Sequence, residues 1–157
     1  MELHIETEIN APATKVWEIL AHQYGNIADW TVTLSESRIV DASDYPEFEA
    51  ASTAPVPARE TTSSFAKAVE IITDYSEDKM QLTFDAVGLP SFMSSAKNTQ
   101  RVIAKGSNKS VLSFDIRVGL KHIFNLISPL LQSRFNKTMI GVQRELKLYA
   151  ETGKPVG

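Results

Sequence analysis

Apolar and polar residues alternate with period two from Glu2 to Ile9. Leu3, Ile5, Thr7 and Ile9 fall on one face, and Glu2, His4, Glu6 and Glu8 on the other. This pattern predicts a half-buried strand. Asn10-Ala11-Pro12 breaks it, because proline suits a first helical turn and cannot continue a central strand. Val16, Trp17, Ile19 and Leu20 then recur at the spacing of a buried helical stripe, which predicts a short helix with Trp17 as a core anchor. Residues 21–30 read as its end, then a second short helical turn closing near Trp30.

The period of two returns further on. Residues 33–41 give a strand of weak pattern. Residues 41–57 hold three prolines, four acids and no base, and read mainly as a long loop with a solvated acidic face. Residues 58–65 are rich in Thr and Ser and suit an extended edge. Residues 67–75 carry Val69, Ile71 and Ile72, and 76–79 read as a turn. In 80–87, Met80, Leu82, Phe84 and Ala86 oppose Gln81, Thr83 and Asp85, and Gly88-Leu89-Pro90 ends the run. Strands at 95–106 and 110–118 are separated by Ser107-Asn108-Lys109, a hairpin signal. In the second of them Leu112, Phe114, Ile116 and Val118 face one way.

The last third changes period. Leu131, Phe135, Met139, Val142, Leu146 and Tyr149 follow one another at steps of three or four, the buried stripe of one α-helix. Lys137, Arg144, Lys147 and Glu151 fall away from it. Ser128 as N-cap, Pro129 at the first position, Gly153 at the C-cap and Pro155 beyond delimit it. From 130 to 151 it would run about 33 Å. Residues 123–127, IFNLI, read as a separate apolar turn or a kinked extension of this helix.

The order is strand, two short helices, a run of about six strands, one long helix. Without βαβ alternation a parallel sheet is not expected. The predicted fold is α+β: a curved antiparallel sheet of about seven strands wrapped around the C-terminal helix, in one domain spanning 1–157. A sheet curved around one helix leaves space between them, and concave apolar cavities take small ligands.

Composition narrows the function classes. Hydrophobic residues make up 43%, the net charge is −3, and the sixteen Lys and Arg are scattered, so no nucleic-acid footprint is expected. Cysteine is absent, which removes disulfides and thiolate chemistry. Acids stand at the N-terminus where a signal peptide would place Lys or Arg, and no window holds eighteen continuous apolar residues. A soluble, cytoplasmic protein without an integral membrane segment is the expectation; the oligomeric state is left open.

At this point the residues resemble a known family. The strand leading into A-P-A-x-x-V-W-x-x-L (11–20), then Trp30, Arg59, Glu70, Asp74, Leu82-Thr83-Phe84 and the closing ELKLYAETGKP (145–155) resemble the START-like superfamily. This is the helix-grip fold of the birch-pollen-allergen-like proteins and of the polyketide cyclase/dehydrase and lipid-transport group. Where the family usually places glycines, this chain has Pro55-Val56-Pro57-Ala58. The resemblance implies the fold and a pocket. It fixes no reaction, since the superfamily includes carriers, cyclases, hydroxylase domains and proteins without an assigned ligand.

Catalysis should leave a constellation. His4, His22 and His122 show no metal-ligand spacing, so no metal is expected, and neither a G-x-S-x-G nor a phosphate-cradling loop is present. No cofactor is expected. The polar candidates for a pocket are Arg59, Glu70, Asn98, Gln100 and Arg101. Glu70 stands opposite Val69 and Ile71, which points it outward, while Asn98 and Gln100 share a face with Val102 and Ala104 and Arg101 shares the other with Ile103, so which of these faces points inward stays open. The apolar candidates for ligand contact are Trp30, Phe65, Phe84, Phe92, Phe114, Phe135 and Met139, with 89–93 as a rim loop. The expected function is binding of a small hydrophobic or amphipathic ligand, a lipid, polyketide or aromatic compound. Two alternatives stand beside it: a cyclase, aromatase or dehydratase using inward polar groups, and an interaction protein whose cavity is filled by Phe and Met. Deleting 43–54 is expected to alter ligand access more than stability; a large loss of melting temperature would mark the segment as a core strand instead.

Overall fold

The computed structural model describes residues 1–64, 66–122, 124 and 128–156. The elements follow in the order β1 (Glu2–Ile9), α1 (Ala13–Trp17), a π turn (Glu18–His22), a 3-10 segment (Tyr24–Asp29), β2 (Leu34–Ile39), β3 (Ala58–Ser63), β4 (Lys67–Ser76), β5 (Gln81–Val87), β6 (Met93–Ala104), β7 (Ser110–Leu120) and α2 (Ser128–Thr152). The strands form one antiparallel sheet ordered β1-β7-β6-β5-β4-β3-β2. Apart from β1, which pairs with β7 by returning from the far end of the chain, each strand pairs with its sequence neighbour.

Local chemistry accounts for most boundaries. The carbonyl of Pro12 accepts from the N–H groups of Lys15 and Val16 at 3.0 and 3.2 Å, opening α1. At the other end of the chain Gly153 closes α2 at φ +70, its N–H bonded to the Tyr149 carbonyl at 2.8 Å. That left-handed cap is cheap for glycine alone. Met80 belongs to the turn before β5, at φ +47, and not to the strand. The predicted turn or extension at 123–127 falls, but for Phe124, outside the described residues.

Two predicted strands sit differently in the sheet. Residues 58–63 are not an edge: β3 is paired on both sides, and the edge is β2. The weak alternation of β2 follows from a bulge between Leu34 and Glu36 and from its edge position, where neither face is fully buried.

The main core lies between the inner sheet face, α1 and its π turn, and the C-terminal half of α2. Trp17 is 3% exposed there and packs against Tyr75, the rings tilted by 31° with centroids 5.6 Å apart. Leu82, Val102, Leu112, Phe114, Val142, Leu146 and Ala150 complete it.

The long 41–57 segment makes a second, smaller core on the opposite side of the sheet. Val40, Ala42, Tyr45, Phe48 and Ala50 pack over Ala58, Val69 and Ile71 on the outer face. Its backbone is tied to the sheet: Ala51 N–H donates to the Ile72 carbonyl, and Ile72 N–H to the Pro57 carbonyl, both at 2.8 Å. The acids Asp41, Asp44, Glu47 and Glu49 stay exposed. Residues 42–50 are therefore a strap over the back of the sheet, whereas Ala51, Ala54 and Val56 pack against the main core. The expectation that the segment governs access to the cavity from the mouth does not follow from where it lies.

Polar ties fix α2 in place. Gln143, fully buried, accepts from the Thr7 hydroxyl at 2.6 Å and donates to the Ile5 carbonyl at 3.1 Å. Glu145 accepts from the hydroxyls of Thr31 and Thr33. Lys147 donates to the Glu8 carbonyl at 2.6 Å, and Glu151 accepts from Asn10 N–H at 2.7 Å. All of these lie in the second half of the helix.

Candidate functional site

In front of that anchored half, the sheet and the N-terminal half of α2 diverge and leave a cavity of about 360 Å³. Its wall is built from alternate positions of five strands: Thr61 and Ser63 of β3, Ala68 and Glu70 of β4, Phe84 and Ala86 of β5, Ala96 and Asn98 of β6, Ile116 and Val118 of β7. Leu131, Phe135, Thr138 and Met139 of α2 close it from above, and Leu89, Pro90, Phe92 and Met93 form the rim. The small side chains at 68, 86 and 96 are what leave room. One step further along the same strands stand Ile72, Leu82, Gln100 and Phe114, all buried. The cavity thus ends where the core begins.

Of the ligand-contact residues expected from sequence, Phe84, Phe92, Phe135 and Met139 line this space. Trp30 does not: it is 3% exposed and stacked on Tyr149 at 6.3 Å. Phe114 is 1% exposed, inside the core below the cavity floor. Arg101 projects from the outer face, where it donates to Gln81 and faces Asp115 at 3.7 Å. Its strand places Asn98, Gln100 and Val102 inward, so the neighbouring parity must point out. Phe65 lies outside the described residues.

Arg59 and Glu70 exchange the roles expected of them. Arg59 is buried behind the wall, and Glu70, expected outward, faces the cavity. Arg59 Nε and Nη2 both reach Glu70 Oε2 at 2.6 Å, while Nη1 donates to the Tyr24 carbonyl at 2.7 Å. The guanidinium lies 3.7 Å over the Tyr24 ring, and the Tyr24 hydroxyl donates to Glu70 Oε2 at 3.4 Å. Burial pushes the Tyr24 phenol well above the ordinary tyrosine range against the opposing pull of Arg59, and the Glu70 carboxylate adds to the rise. The cluster is compact and charge-neutral. Its only member on the cavity wall is Glu70.

Two further polar groups face inward. Asn98 and Gln100 are 4% and 5% exposed, and the side-chain carbonyl oxygen of each is without a hydrogen-bond partner among the described residues. A buried orphan acceptor costs about 1–3 kcal/mol. Asn98 lines the cavity and Gln100 stands one step deeper. Sequence pattern left their parity open, because each face of β6 mixes polar and apolar residues.

A broader groove of about 490 Å³ crosses the outer face over β1, β7 and β6. It is a salt-bridged surface: His4 meets Asp115 at 2.6 Å, Arg117 meets Glu2 at 3.3 Å, and Lys97 meets Asp85 at 3.3 Å. No histidine lines the inner cavity among the described residues. His22 lies between Glu18 and Glu77 at the surface, and His122 is exposed. Among the described residues no group of three or more His, Asp or Glu could hold a metal ion, and no helix is long and apolar enough to cross a membrane.

A seven-stranded antiparallel sheet gripping a long C-terminal helix, with an apolar cavity between them, defines the helix-grip class. Residues 2–148 match the family model described as polyketide cyclase / dehydrase and lipid transport, and the chain belongs to that family. Solved structures share the fold at low identity. A START superfamily protein from Mycobacterium smegmatis is 12% identical, covering 98% of this chain and 99% of its own, with a TM-score of 0.75. The Zhui aromatase/cyclase from Streptomyces sp. R1128 is 11% identical, covering 99% of both chains at 0.71. A truncated norcoclaurine synthase from Thalictrum flavum is 12% identical, covering 98% of this chain and 95% of its own at 0.66. Comparison with curated protein sequences gives no match.

Proposed function

We propose that the protein binds a small hydrophobic or amphipathic ligand, a lipid, polyketide or aromatic compound, in the cavity between the sheet and α2. The observation that carries this reading is the cavity itself. Its volume of about 360 Å³ falls within the range of small-molecule pockets, and its wall is mostly aliphatic and aromatic with a few polar groups, the usual make-up of such sites. Binding is favoured over acid-base catalysis because the one carboxylate on the strand wall, Glu70, is held by two guanidinium nitrogens.

Native mass spectrometry of protein purified from its own host, followed by organic extraction, tests this. A discrete co-purifying apolar molecule is expected. Ala86, on the cavity wall, offers the control: Ala86→Trp fills the space and should abolish co-purification. An apo mass together with no thermal shift across lipids, polyketides and polyphenols would refute the reading.

A further inference from the structure

We infer that the mouth of the cavity holds an oxyanion subsite on its β2–β3 side, built from Arg134 and Thr61. The ligand is then an amphipathic acid, with its apolar end inward and its acid at the mouth. This rests on the binding reading above and adds the chemistry of the ligand's outer end.

Among the described residues three charged side chains border the cavity: Glu70, Lys97 and Arg134. Glu70 is matched by Arg59 at 2.6 Å, and the Lys97 ammonium turns to Asp85 at 3.3 Å on the outer face. Arg134 is exposed, and its guanidinium has neither a hydrogen bond nor an ion pair among the described residues. The chain around it carries the same sign. From Ile116 to Arg144 it holds Arg117, Lys121, Arg134, Lys137 and Arg144 and no Asp or Glu, in a protein of net charge −3. That span includes the cavity-facing half of α2, while the acids of the strap lie across the sheet. What enters at this end meets a positive field.

The helix fixes which side Arg134 serves. Residues 134, 138, 141 and 145 share one stripe, at steps of four, three and four. On it Glu145 accepts from Thr31 and Thr33, and a Cβ at Gly141 would lie 3.6 Å from Thr33 Oγ1. Thr33 leads into β2, whose Leu34 pairs with Ser63 of β3. Arg134 and Thr138, both lining the cavity, therefore border it on the β2–β3 side. Thr61 stands on the wall of that side. It is 5% exposed, and its hydroxyl has no hydrogen-bond partner among the described residues. Its register partner is Ala68, whereas Arg59 pairs with Glu70, so Thr61 lies nearer the rim than the buried ion pair. A buried hydroxyl requires a partner. With an uncompensated guanidinium on the same side, the group that satisfies both is an oxyanion. A carboxylate or a phosphate takes the guanidinium fork on two oxygens and accepts the hydroxyl on one.

Titration calorimetry with four decyl probes tests this: decanoate, decanamide, decylammonium and decyl phosphate. Decanamide has the shape of decanoate without its charge. The wild-type protein should bind decanoate about tenfold more tightly than decanamide, the usual worth of hydrogen bonds to a charged group, and decylammonium most weakly. The preference for the anion should shrink as salt is added, because exposed charges are screened. Arg134→Gln should bring decanoate to the level of decanamide and leave decanamide unchanged, which shows that the variant cavity is intact. Arg134→Lys should recover part of the preference. Thr61→Val keeps the shape of the wall and should weaken decanoate severalfold with decanamide still bound. Decyl phosphate read against decanoate tells which oxyanion the subsite takes, and tighter binding of either than of decanamide supports it. Equal affinity for decanamide and both anions, or a preference that survives Arg134→Gln, would overturn the inference and leave the cavity reading standing. Failure of every probe to bind the wild-type protein would remove both.

Discussion

The Arg59–Glu70 pair is the sharpest place to test how this fold is held together. Arg59 is 4% exposed, and its Nε and Nη2 share Glu70 Oε2 at 2.6 Å. Removing one partner of a buried ion pair strands the other, at a cost of about 3–5 kcal/mol, whereas replacing both by apolar residues of similar size is often nearly neutral. Glu70 borders the cavity and keeps some contact with solvent there, its side chain being 17% exposed, so Arg59→Met should cost about 3 kcal/mol, the low end. Glu70→Leu leaves the guanidinium with only the Tyr24 carbonyl and belongs nearer 4 kcal/mol. In the double variant the Tyr24 carbonyl loses its donor and the Tyr24 hydroxyl its acceptor, about 2–3 kcal/mol together. Urea denaturation followed by the fluorescence of Trp17 and Trp30, both buried, reads these differences. In thermal melts a loss of about 3 kcal/mol lowers Tm by roughly 6–12 °C at this chain length. A double variant whose loss equals the sum of the two singles within about 0.5 kcal/mol would refute the coupling.

Three further outcomes are expected. Trp17→Ala should cost about 3–5 kcal/mol in equilibrium unfolding without changing probe affinity, since Trp17 lies outside the cavity wall; an affinity loss with unchanged stability would contradict that placement. Phe48→Ala should cost about 1–2 kcal/mol, roughly half the figure for a fully buried phenylalanine, and deletion of 43–54 should lower stability more than it alters probe binding. His4 titrates above its usual 6.5, chiefly through its hydrogen bond to Asp115. Because the folded value is raised, the stabilisation from this pair is fully present below 6.5 and fades as pH rises through the raised value. Proton NMR of His4 checks it, and an unchanged titration in Asp115→Asn would show that Asp115 is not the cause.

The elements that one alternating or helical stripe could specify were legible in the sequence. β1, β5, β7 and α2 each carry such a stripe, and so does α1 with Trp17. What pattern misjudged is the region where the sheet is covered on both sides. Val69 and Ile71 mark an apolar face of β4, but that face belongs to the strap, so Glu70 between them points into the cavity instead of away from it. Period two gives which residues share a face and not which layer each face meets. Phe114 reads as a ligand contact for a related reason: an aromatic on the inner face is cavity wall or core according to its distance along the strand, which depends on where α2 begins to diverge. Trp30, which caps the 3-10 segment, is taken up instead by stacking on Tyr149 of α2, a partner that sequence spacing does not reveal. Gln143 and Glu145 were missed because polar residues inside a helical stripe look like its solvent side. A polar pair at 143 and 145 within two helical turns of Val142 and Leu146 was the only sequence signal available.

The ties that hold α2 have a mechanical consequence. Gln143, Lys147 and Glu151 pin the second half of the helix to β1 and Asn10, and Glu145 pins it to Thr31 and Thr33 just ahead of β2. Among the described residues no hydrogen bond or ion pair joins residues 129–142 to another element. The helix is a beam held at one end by polar ties, while its other half roofs the cavity and meets the main core through apolar packing at Phe135 and Met139. The residues that tie the helix to the fold and the residues that line the cavity are therefore separate sets, so substitutions at Leu131 or Thr138 can reshape the cavity without touching the ties.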